Sequence, residues 1–362
     1  MRTADLAFQR LHAQHLLKPD FDSPADAVRW FGAVQAQDFL ASLWAIGLRL
    51  RRGTEAGVEE AIAGKGIIRT WPMRGTIHFV PPQDARWMLR LLARRGISSN
   101  GAMYRRLGLT EAVFARTHEV VAGALRGGRQ LTRTEIYRVL EEAGVRTSGE
   151  QRGLHILGYL AREALICFGP RRGKQHTFTL LEEWIPAGRQ LKDDEALAEL
   201  ARRYFASHGP ATSQDFAWWS GLTIKDARAA LDGARTELYA QEAGGKEFWS
   251  GFDPKSLTPA VGQACLLPAF DELTVGYKDR SALLAGAPTT AAGLALGPSI
   301  IVDGRIVGNW KRTLARDAVV IELSLFAPVN KRQQAGLASA ARRYGEFVGL
   351  PARLTSSPRP AH

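Results

Sequence analysis

Cysteine, metal-binding spacings and long apolar runs are all scarce in this sequence. The two cysteines, Cys167 and Cys265, lie far apart and no C-x-x-C occurs, which argues against a disulfide framework or a zinc site. The eight histidines show no metal-binding spacing. The most apolar stretch, 318–329, carries Glu322 and is shorter than the roughly 20 residues that span a bilayer. We therefore expect no metal and no membrane association.

The motifs of common cofactor and hydrolase families are missing too. The sequence has no G-x-x-x-x-G-K-[ST], no G-x-S-x-G, no H-E-x-x-H and no clean G-x-G-x-x-G. We therefore expect no cofactor. The first five residues do not have the layout of a signal peptide, so a cytoplasmic location is expected.

Positive charge is what the sequence has in excess. Its 48 Lys and Arg outnumber 36 Asp and Glu, which gives a net charge of +12. An excess of this size indicates a polyanionic partner, above all nucleic acid. A genome that favours arginine codons would produce the same excess without such a partner. The 362 residues and 45% hydrophobic content predict two or three structural units with a substantial core.

Helices followed by a β-hairpin recur along the chain, which is the order of elements in a winged helix. The first repeat starts a helix at Ser23, with Pro24 at its first position, and this helix is expected to run through Val34. The repeat ends in a hairpin over 66–80. The second has a capping box at Thr132 and Glu135 and a hairpin over 165–180. The third has a helix pair around Gly221 and a hairpin over 237–249. Strands then dominate from 264 to 325, before a final helix over 331–348.

These patterns predict an α+β fold of tandem winged-helix motifs with a C-terminal β-rich, barrel-like section, C-shaped around a basic DNA channel. We expect winged helix 1 at 1–100, winged helix 2 at 101–190 and winged helix 3 at 191–255. The β-rich domain and final helix follow at 256–355, and a disordered tail at 356–362.

Gln35 and Gln37 flank a small apolar residue at the end of an amphipathic helix. On a continuous helix, side chains two residues apart point about 200° from each other, whereas in an extended segment they share a side. A shared role therefore requires the first helix to end near Gln35. The following residues permit this, because Asp38 can cap a second helix that starts at Phe39. Val34 and Ala36 would then face the core. From spacing alone, two surface glutamines remain the alternative.

Five segments together resemble the AlkZ-type winged-helix DNA glycosylases, which excise alkylated purines and include enzymes that unhook interstrand crosslinks. The segments are 33–38, which contains the glutamines, 69–78, 267–272, 276–280 and 302–312, and the resemblance covers nearly the whole chain. In this family the Gln-apolar-Gln element is catalytic, which implies that Gln35 and Gln37 are the catalytic residues. A sister branch has Asp at the second position, so the Gln here places this chain with the crosslink-unhooking branch.

Neutral amides suit only one kind of substrate. A purine alkylated at N7 is cationic and leaves as a neutral base without an acid, so the enzyme needs to position a water and tolerate an oxocarbenium-like sugar. Amides have no useful basicity, so uracil and undamaged bases should be poor substrates. Asp38 is the nearest carboxylate and can serve as a base or as a helix cap.

Contacts to DNA are expected from basic and polar residues near the hairpins and in the C-terminal section. Alternatives are an exposed polar face for the first hairpin, a solvated basic turn at 171–174 and a core position for Trp310. Asp271 and Glu272 are interpreted as structural, paired with Arg280. The expected DNA-binding residues are Arg69, Arg74, His78, Arg171, Arg172, Lys174, Lys278, Arg280, Asn309, Trp310, Lys311 and Arg312.

The sequence thus predicts a monomeric, monofunctional DNA glycosylase. Its partner is duplex DNA that carries alkylated guanine or crosslinks, and two glutamines position the attacking water. The alternative is a winged-helix transcription regulator or another non-catalytic DNA-binding protein, with specificity in a recognition helix near 223–231. Housekeeping repair and self-resistance in an antibiotic producer both fit the sequence.

Overall fold

The chain folds into two compact units. The computed structural model describes residues 3–93, 97, 100–185, 187–254, 257, 262–289 and 291–356. Unit 1 comprises residues 1–58 and 197–362, and unit 2 comprises residues 59–196. Of the tail predicted at 356–362, Ser356 ends the last strand and 357–362 lie outside the described residues. Every helix in the described part of the chain is too short or too polar to cross a membrane.

The strands are short and lie in both units. In chain order they are β1 Val34–Gln35, β2 Ile68–Met73, β3 Thr76–Val80, β4 Leu131–Thr132, β5 Ile166–Phe168, β6 Thr177–Leu180, β7 Tyr239–Ala243, β8 Lys246–Ser250, β9 Ala264–Leu267, β10 Ser299–Val302, β11 Arg305–Leu314, β12 Val319–Leu325 and β13 Ala352–Ser356.

Helices precede or separate these strands. They span Thr3–Ala13, Pro24–Phe31, Phe39–Gly47, Glu55–Ala63, Ala85–Met88, Gly101–Arg106, Glu111–Leu125, Arg133–Glu142, Arg152–Arg162, Leu181–Trp184, Asp193–His208, Ser213–Ser220, Ile224–Ala234, Glu272–Val275, Ser281–Leu284, Ala291–Leu294 and Lys331–Val348. Pro82–Asp84 and Arg235–Glu237 are 3₁₀ turns, and Leu89–Ala93 is π-helical.

An open sheet in the order β13-β12-β11-β10-β9 forms the C-terminal part of unit 1. The β12–β13 pair is parallel and the other pairs are antiparallel. Because β13 and β9 are edges, the predicted barrel-like closure is wrong. The helix Lys331–Val348 covers this sheet, and its Tyr344 ring packs against Trp310 of β11 at 5.1 Å and against Trp44 at 5.0 Å. This aromatic core joins the sheet to the helix Phe39–Gly47.

Antiparallel strands in the order β3-β2-β5-β6-β4 form the sheet of unit 2. Trp71 stacks on Phe168 of β5 with ring centroids 4.8 Å apart. The helices Glu111–Leu125, Arg133–Glu142 and Arg152–Arg162 precede the β5–β6 hairpin, as the sequence predicts. The capping box is confirmed, since the Thr132 hydroxyl accepts from the Glu135 N–H and the Glu135 carboxylate accepts from the Thr132 N–H.

Several other local predictions are confirmed and one is wrong. Ser23 caps a helix whose first residue is Pro24, and Gly221 lies between two helices with φ of 75°. The hairpin β7–β8 turns at Gly244 and Gly245, as predicted. The first amphipathic helix was expected to run on to Val34, but it ends at Phe31 because Gly32 adopts φ of 75°, which terminates the helix.

Candidate active site

The two-residue strand Val34–Gln35 follows the end of the helix Pro24–Phe31, Ala36 continues it without regular structure, and the chain bends at Gln37. Burial alternates along it: Val34 and Ala36 are buried, Gln35 is half-buried and Gln37 is exposed. A period of two is the pattern of an extended chain with one side in the core. The predicted break in the helix and the core positions of Val34 and Ala36 are therefore confirmed, and both glutamines are more exposed than Val34 and Ala36.

Glu272 holds the backbone of this segment from inside unit 1. Its Oε1 accepts a hydrogen bond from the Gln35 N–H at 2.7 Å, and its Oε2 accepts one from the Trp219 indole at 3.0 Å. The Nε2 of His208 lies 3.2 Å from the same Oε2. Glu272 is only 1% exposed, so it places one carboxylate beneath the Gln35 backbone with no access to bulk water.

His208 is itself enclosed by aromatic rings. Tyr204 stacks on its imidazole at 4.6 Å, and Phe31 meets it edge-on at 5.5 Å. Burial lowers the pKa of His208, and the hydrogen bond with Glu272 offsets only part of that shift. His208 is therefore neutral at neutral pH and acts as a hydrogen-bonding group beside the Glu272 carboxylate rather than as its counter-ion.

A second buried carboxylate, that of Asp271, is paired with Arg49. The two guanidinium nitrogens of Arg49 donate to the two Asp271 oxygens at 2.8 and 2.9 Å. Arg49 also donates to Gln14, which donates to the Tyr277 hydroxyl, which in turn donates to the His208 carbonyl. Asp271 and Arg49 are 0% and 1% exposed. This chain of hydrogen bonds links the two buried carboxylates, and we call these residues with Glu272 the buried polar cluster.

The expected pairing of Asp271 and Glu272 with Arg280 is wrong. Arg280 instead donates from Nε to the Thr274 carbonyl at 2.6 Å. The structural interpretation of Asp271 is correct, but the sequence did not reveal the contact between Glu272 and Gln35. The sequence does carry a signal for such a contact: Asp271 and Glu272 stand in an otherwise apolar segment, and buried carboxylates are rarely without partners.

Asp38 caps the next helix. Its Oδ1 accepts a hydrogen bond from the Ala41 N–H at 3.1 Å, and its backbone is extended. This geometry confirms the capping role that the sequence allowed. The carboxylate is exposed and lies next to Gln37 in the chain.

Arg69 and His78, both expected to contact DNA, are buried. The Arg69 guanidinium lies over the Phe168 ring at 4.3 Å and 3.4 Å from His176 Nδ1. His78 lies 3.0 Å from the Thr76 carbonyl oxygen and 3.3 Å from the Arg74 side chain. Neither Arg69 nor His78 is on an exposed polar face, because the first three residues of β2 are buried and β3 is buried after its first residue.

The basic tip between β5 and β6 is partly neutralised within unit 2. Arg171 pairs with Glu59, and Arg172 pairs with Glu135 at 2.9 Å while donating to the Gln130 carbonyl at 2.8 Å. Lys174 is exposed and has no acidic partner within ion-pair distance among the described residues. Of the three, Lys174 is the residue best placed to meet a phosphate without first losing an ion pair.

The C-terminal candidates divide between core and surface. Trp310 is 5% exposed and donates its indole N–H to the Leu267 carbonyl at 2.7 Å, so it is a core residue and cannot insert into a duplex from this position. Asn309 donates to the Pro298 carbonyl at 3.0 Å. Arg312 is half-buried over the Tyr344 ring. The exposed cations of this set are Lys278 and Lys311.

The described part of the chain contains no group of three or more His, Cys, Asp or Glu side chains arranged to hold a metal ion. Both cysteines are free and buried, and burial raises their pKa. Buried neutral thiols are poor nucleophiles.

The Gln-apolar-Gln element lies at the end of a short strand in a mixed α+β fold. The sequence model of the DNA glycosylase AlkZ-like family matches residues 28–347, and the chain belongs to this family. A Streptomyces sahachiroi protein described as an interstrand DNA cross-link repair glycosylase is 30% identical over 320 residues, which cover 83% of this chain and 85% of that protein.

The solved structure of Streptomyces sahachiroi DNA glycosylase AlkZ also resembles this fold. The TM-score is 0.78 at 25% identity, and the match covers 98% of this chain and 99% of that chain. The resemblance inferred from the sequence motifs is thereby confirmed, and so is the α+β fold class.

Proposed function

We propose that this protein hydrolyses the N-glycosidic bond of N7-alkylated purines in duplex DNA, with Gln35 and Gln37 positioning the attacking water. The observation that carries this proposal is the Gln35–Ala36–Gln37 segment, whose backbone is held at Gln35 by Glu272 at 2.7 Å and whose glutamines are more exposed than Val34 and Ala36. Preorganised dipoles of this kind stabilise charge that develops in a transition state without reorganising.

The proposed step needs no strong acid or base. The C1′–N9 bond breaks, and its electron pair neutralises the cationic purine, which leaves as a neutral base. The water oxygen forms a bond to C1′, and the proton it loses passes to solvent. Amide oxygens orient the water and favour the positive charge on the sugar, and the product is an abasic site with an uncut strand.

Crosslinked and bulky bases form the second part of the proposal. The Streptomyces sahachiroi relative is named for interstrand DNA cross-link repair, and the match covers 83% of this chain and 85% of that protein. A base tied to the opposite strand cannot swing fully into a closed pocket. We therefore place such lesions in an open basic channel built from tandem winged helices. This proposal keeps the four-domain division predicted above. The protein would act as a monomer in the cytoplasm.

The remaining cations are assigned to the DNA backbone. Exposed Lys174, Lys278 and Lys311 are the most accessible, and Arg74, Arg172 and Arg312 are half-buried or engaged in contacts within the protein. Phosphate contacts fix the position of a protein on a duplex without reading sequence. This matches a repair enzyme that has to act wherever a lesion lies.

A binding-only regulator is the second candidate function. The helix pair Ser213–Ser220 and Ile224–Ala234 followed by the hairpin β7–β8 has the order of a helix-turn-helix with a wing. A regulator needs no polar pair on an outward segment and would bind one sequence far better than others.

A base-release assay separates the two functions. Purified protein is incubated with duplexes carrying 7-methylguanine, a bifunctional N7 crosslink or uracil, and abasic sites are quantified. Release of 7-methylguanine and unhooking of the crosslink, with no release of uracil, supports the proposal. Tight sequence-specific binding without release of any base supports the regulator.

A further inference from the structure

A cavity of about 490 Å³ lies in unit 1 away from the glutamine segment. The last turn of the helix Phe39–Gly47, the following segment and the helix Lys331–Val348 form its walls. Its volume lies within the range of roughly 300–1,000 Å³ typical of ligand pockets. We call it the arginine pocket, after the lining residues Arg51, Arg52, Arg342 and Arg343.

The charge of the arginine pocket is only partly balanced from within the protein. Arg51 pairs with Asp20 and Asp22, each at 2.8 Å. Among the described residues, no carboxylate lies within ion-pair distance of Arg52, Arg342 or Arg343. Glu346 lines the wall and reduces, but does not cancel, the positive charge.

Arg343 is fixed in place while its neighbours are exposed. It is half-buried, and its Nη2 donates to the carbonyls of Leu48 and Leu50 at 2.6 and 3.0 Å. Arg52 and Arg342 are exposed, and they line the cavity from two different segments of the chain. A fixed guanidinium with two further guanidiniums around a concave space suits the tetrahedral oxygens of a phosphate, which guanidinium binds in a bidentate fashion.

The arginine pocket is separate from the glutamine segment. The helix Phe39–Gly47 begins two residues after Gln37, and Trp44 and Gly47 in its last turn line the cavity. Trp44 and Gly47 follow Phe39 by five and eight residues, which at about 1.5 Å per residue places them about 8 and 12 Å along the helix from its start. A group bound in the pocket therefore does not occupy the proposed site of base release.

We propose that the arginine pocket binds a phosphate group, held by Arg52, Arg342 and Arg343. Two sources share this chemistry: a backbone phosphate of the DNA on which the protein acts, or a free phosphate compound. If the source is a DNA phosphate, the inference rests on the proposed function. If the source is a free phosphate compound, the inference does not depend on the proposed function.

The test is a calorimetric titration of the full chain with pyrophosphate at constant ionic strength. Wild type should bind one equivalent, and Arg52→Gln with Arg342→Gln should weaken binding at least tenfold. Both side chains are exposed, so the double variant should fold normally, which its melting temperature checks. Arg126→Gln with Arg138→Gln removes the same charge from exposed positions of unit 2 and should bind as wild type does.

Repeating the titration on protein saturated with undamaged duplex identifies the source. If the duplex blocks pyrophosphate binding, the pocket takes a backbone phosphate. If pyrophosphate binds as before, it takes a free phosphate compound. The inference is overturned if wild type binds no pyrophosphate, or if the pocket and control variants lose affinity equally. None of these outcomes depends on base release, so failure here is distinct from failure of the proposed function.

Discussion

Replacing Glu272 with Gln tests whether the buried polar cluster positions the glutamine segment. The side chain keeps its size, but its terminal group loses its charge and one acceptor oxygen. The N–H of Gln35 and the indole N–H of Trp219 can only donate, and they approach different oxygens of Glu272. A single amide oxygen cannot accept both, so one donor faces an NH₂ group.

The cost follows from these contacts. An unsatisfied buried donor costs about 1–3 kcal/mol, and exchanging a charged acceptor for a neutral one costs about 1 kcal/mol more. The free energy of unfolding of Glu272→Gln should therefore fall by about 2–4 kcal/mol. A misplacement of about 1 Å near reacting atoms can slow a reaction roughly a hundredfold. We expect base release in single turnover to slow by about ten- to a hundredfold.

The assay compares this rate with DNA affinity and with a matched control. The dissociation constant for undamaged duplex should stay within about twofold of wild type, because Glu272 is buried and cannot meet phosphate. Leu337→Ala removes a buried side chain from the helix Lys331–Val348 and should cost about 2–5 kcal/mol in stability without slowing release. A wild-type rate for Glu272→Gln, or an equal loss in the control, would refute the positioning role.

Three further predictions concern the cap, the basic tip and pH. Asp38→Asn should keep the helix cap and release 7-methylguanine at close to the wild-type rate, since Asn caps as well as Asp; a loss of a hundredfold or more would identify Asp38 as a base. Lys174→Ala should lower the slope of log affinity against log salt concentration for duplex DNA by about 0.9. Arg172→Ala should lower it by less, because Glu135 already binds that guanidinium. Equal slopes for wild type and both variants would show that the basic tip does not contact DNA. Burial lowers the pKa of His15 and of His176 to about 4 in the folded protein, below the ordinary 6.5. As the pH falls from 6.5 towards 4, the unfolded chain therefore binds protons at these residues before the folded protein does, and the melting temperature should fall. A melting temperature that stays constant over this range would contradict the lowered pKa values.

Local features of the fold could be read from the sequence because neighbouring residues determine them. The cap at Asp38, the capping box at Thr132 and the turn at Gly244 depend on residues within a few positions of each other. The end of the first helix before Gln35 was also predictable, from the requirement that both glutamine side chains share a side.

Contacts between distant segments could not be read in this way. The hydrogen bond from Gln35 to Glu272 joins residues separated by 237 positions, and one sequence does not show which segments meet. The same limit explains the barrel prediction, because closure depends on whether β13 pairs with β9. His78 was misplaced because alternation predicts which residues share a face, not whether that face is covered.

Release of 7-methylguanine by Gln35→Ala with Gln37→Ala tests the central claim most directly. The double variant and wild type are compared in single turnover on one duplex, with DNA affinity and melting temperature measured alongside. Gln37 is exposed and Gln35 half-buried, so the variant should fold and bind duplex nearly as wild type does. We predict that abasic-site release falls at least a hundredfold, about 2.7 kcal/mol in activation free energy. Release at the wild-type rate would contradict the assignment of both glutamines.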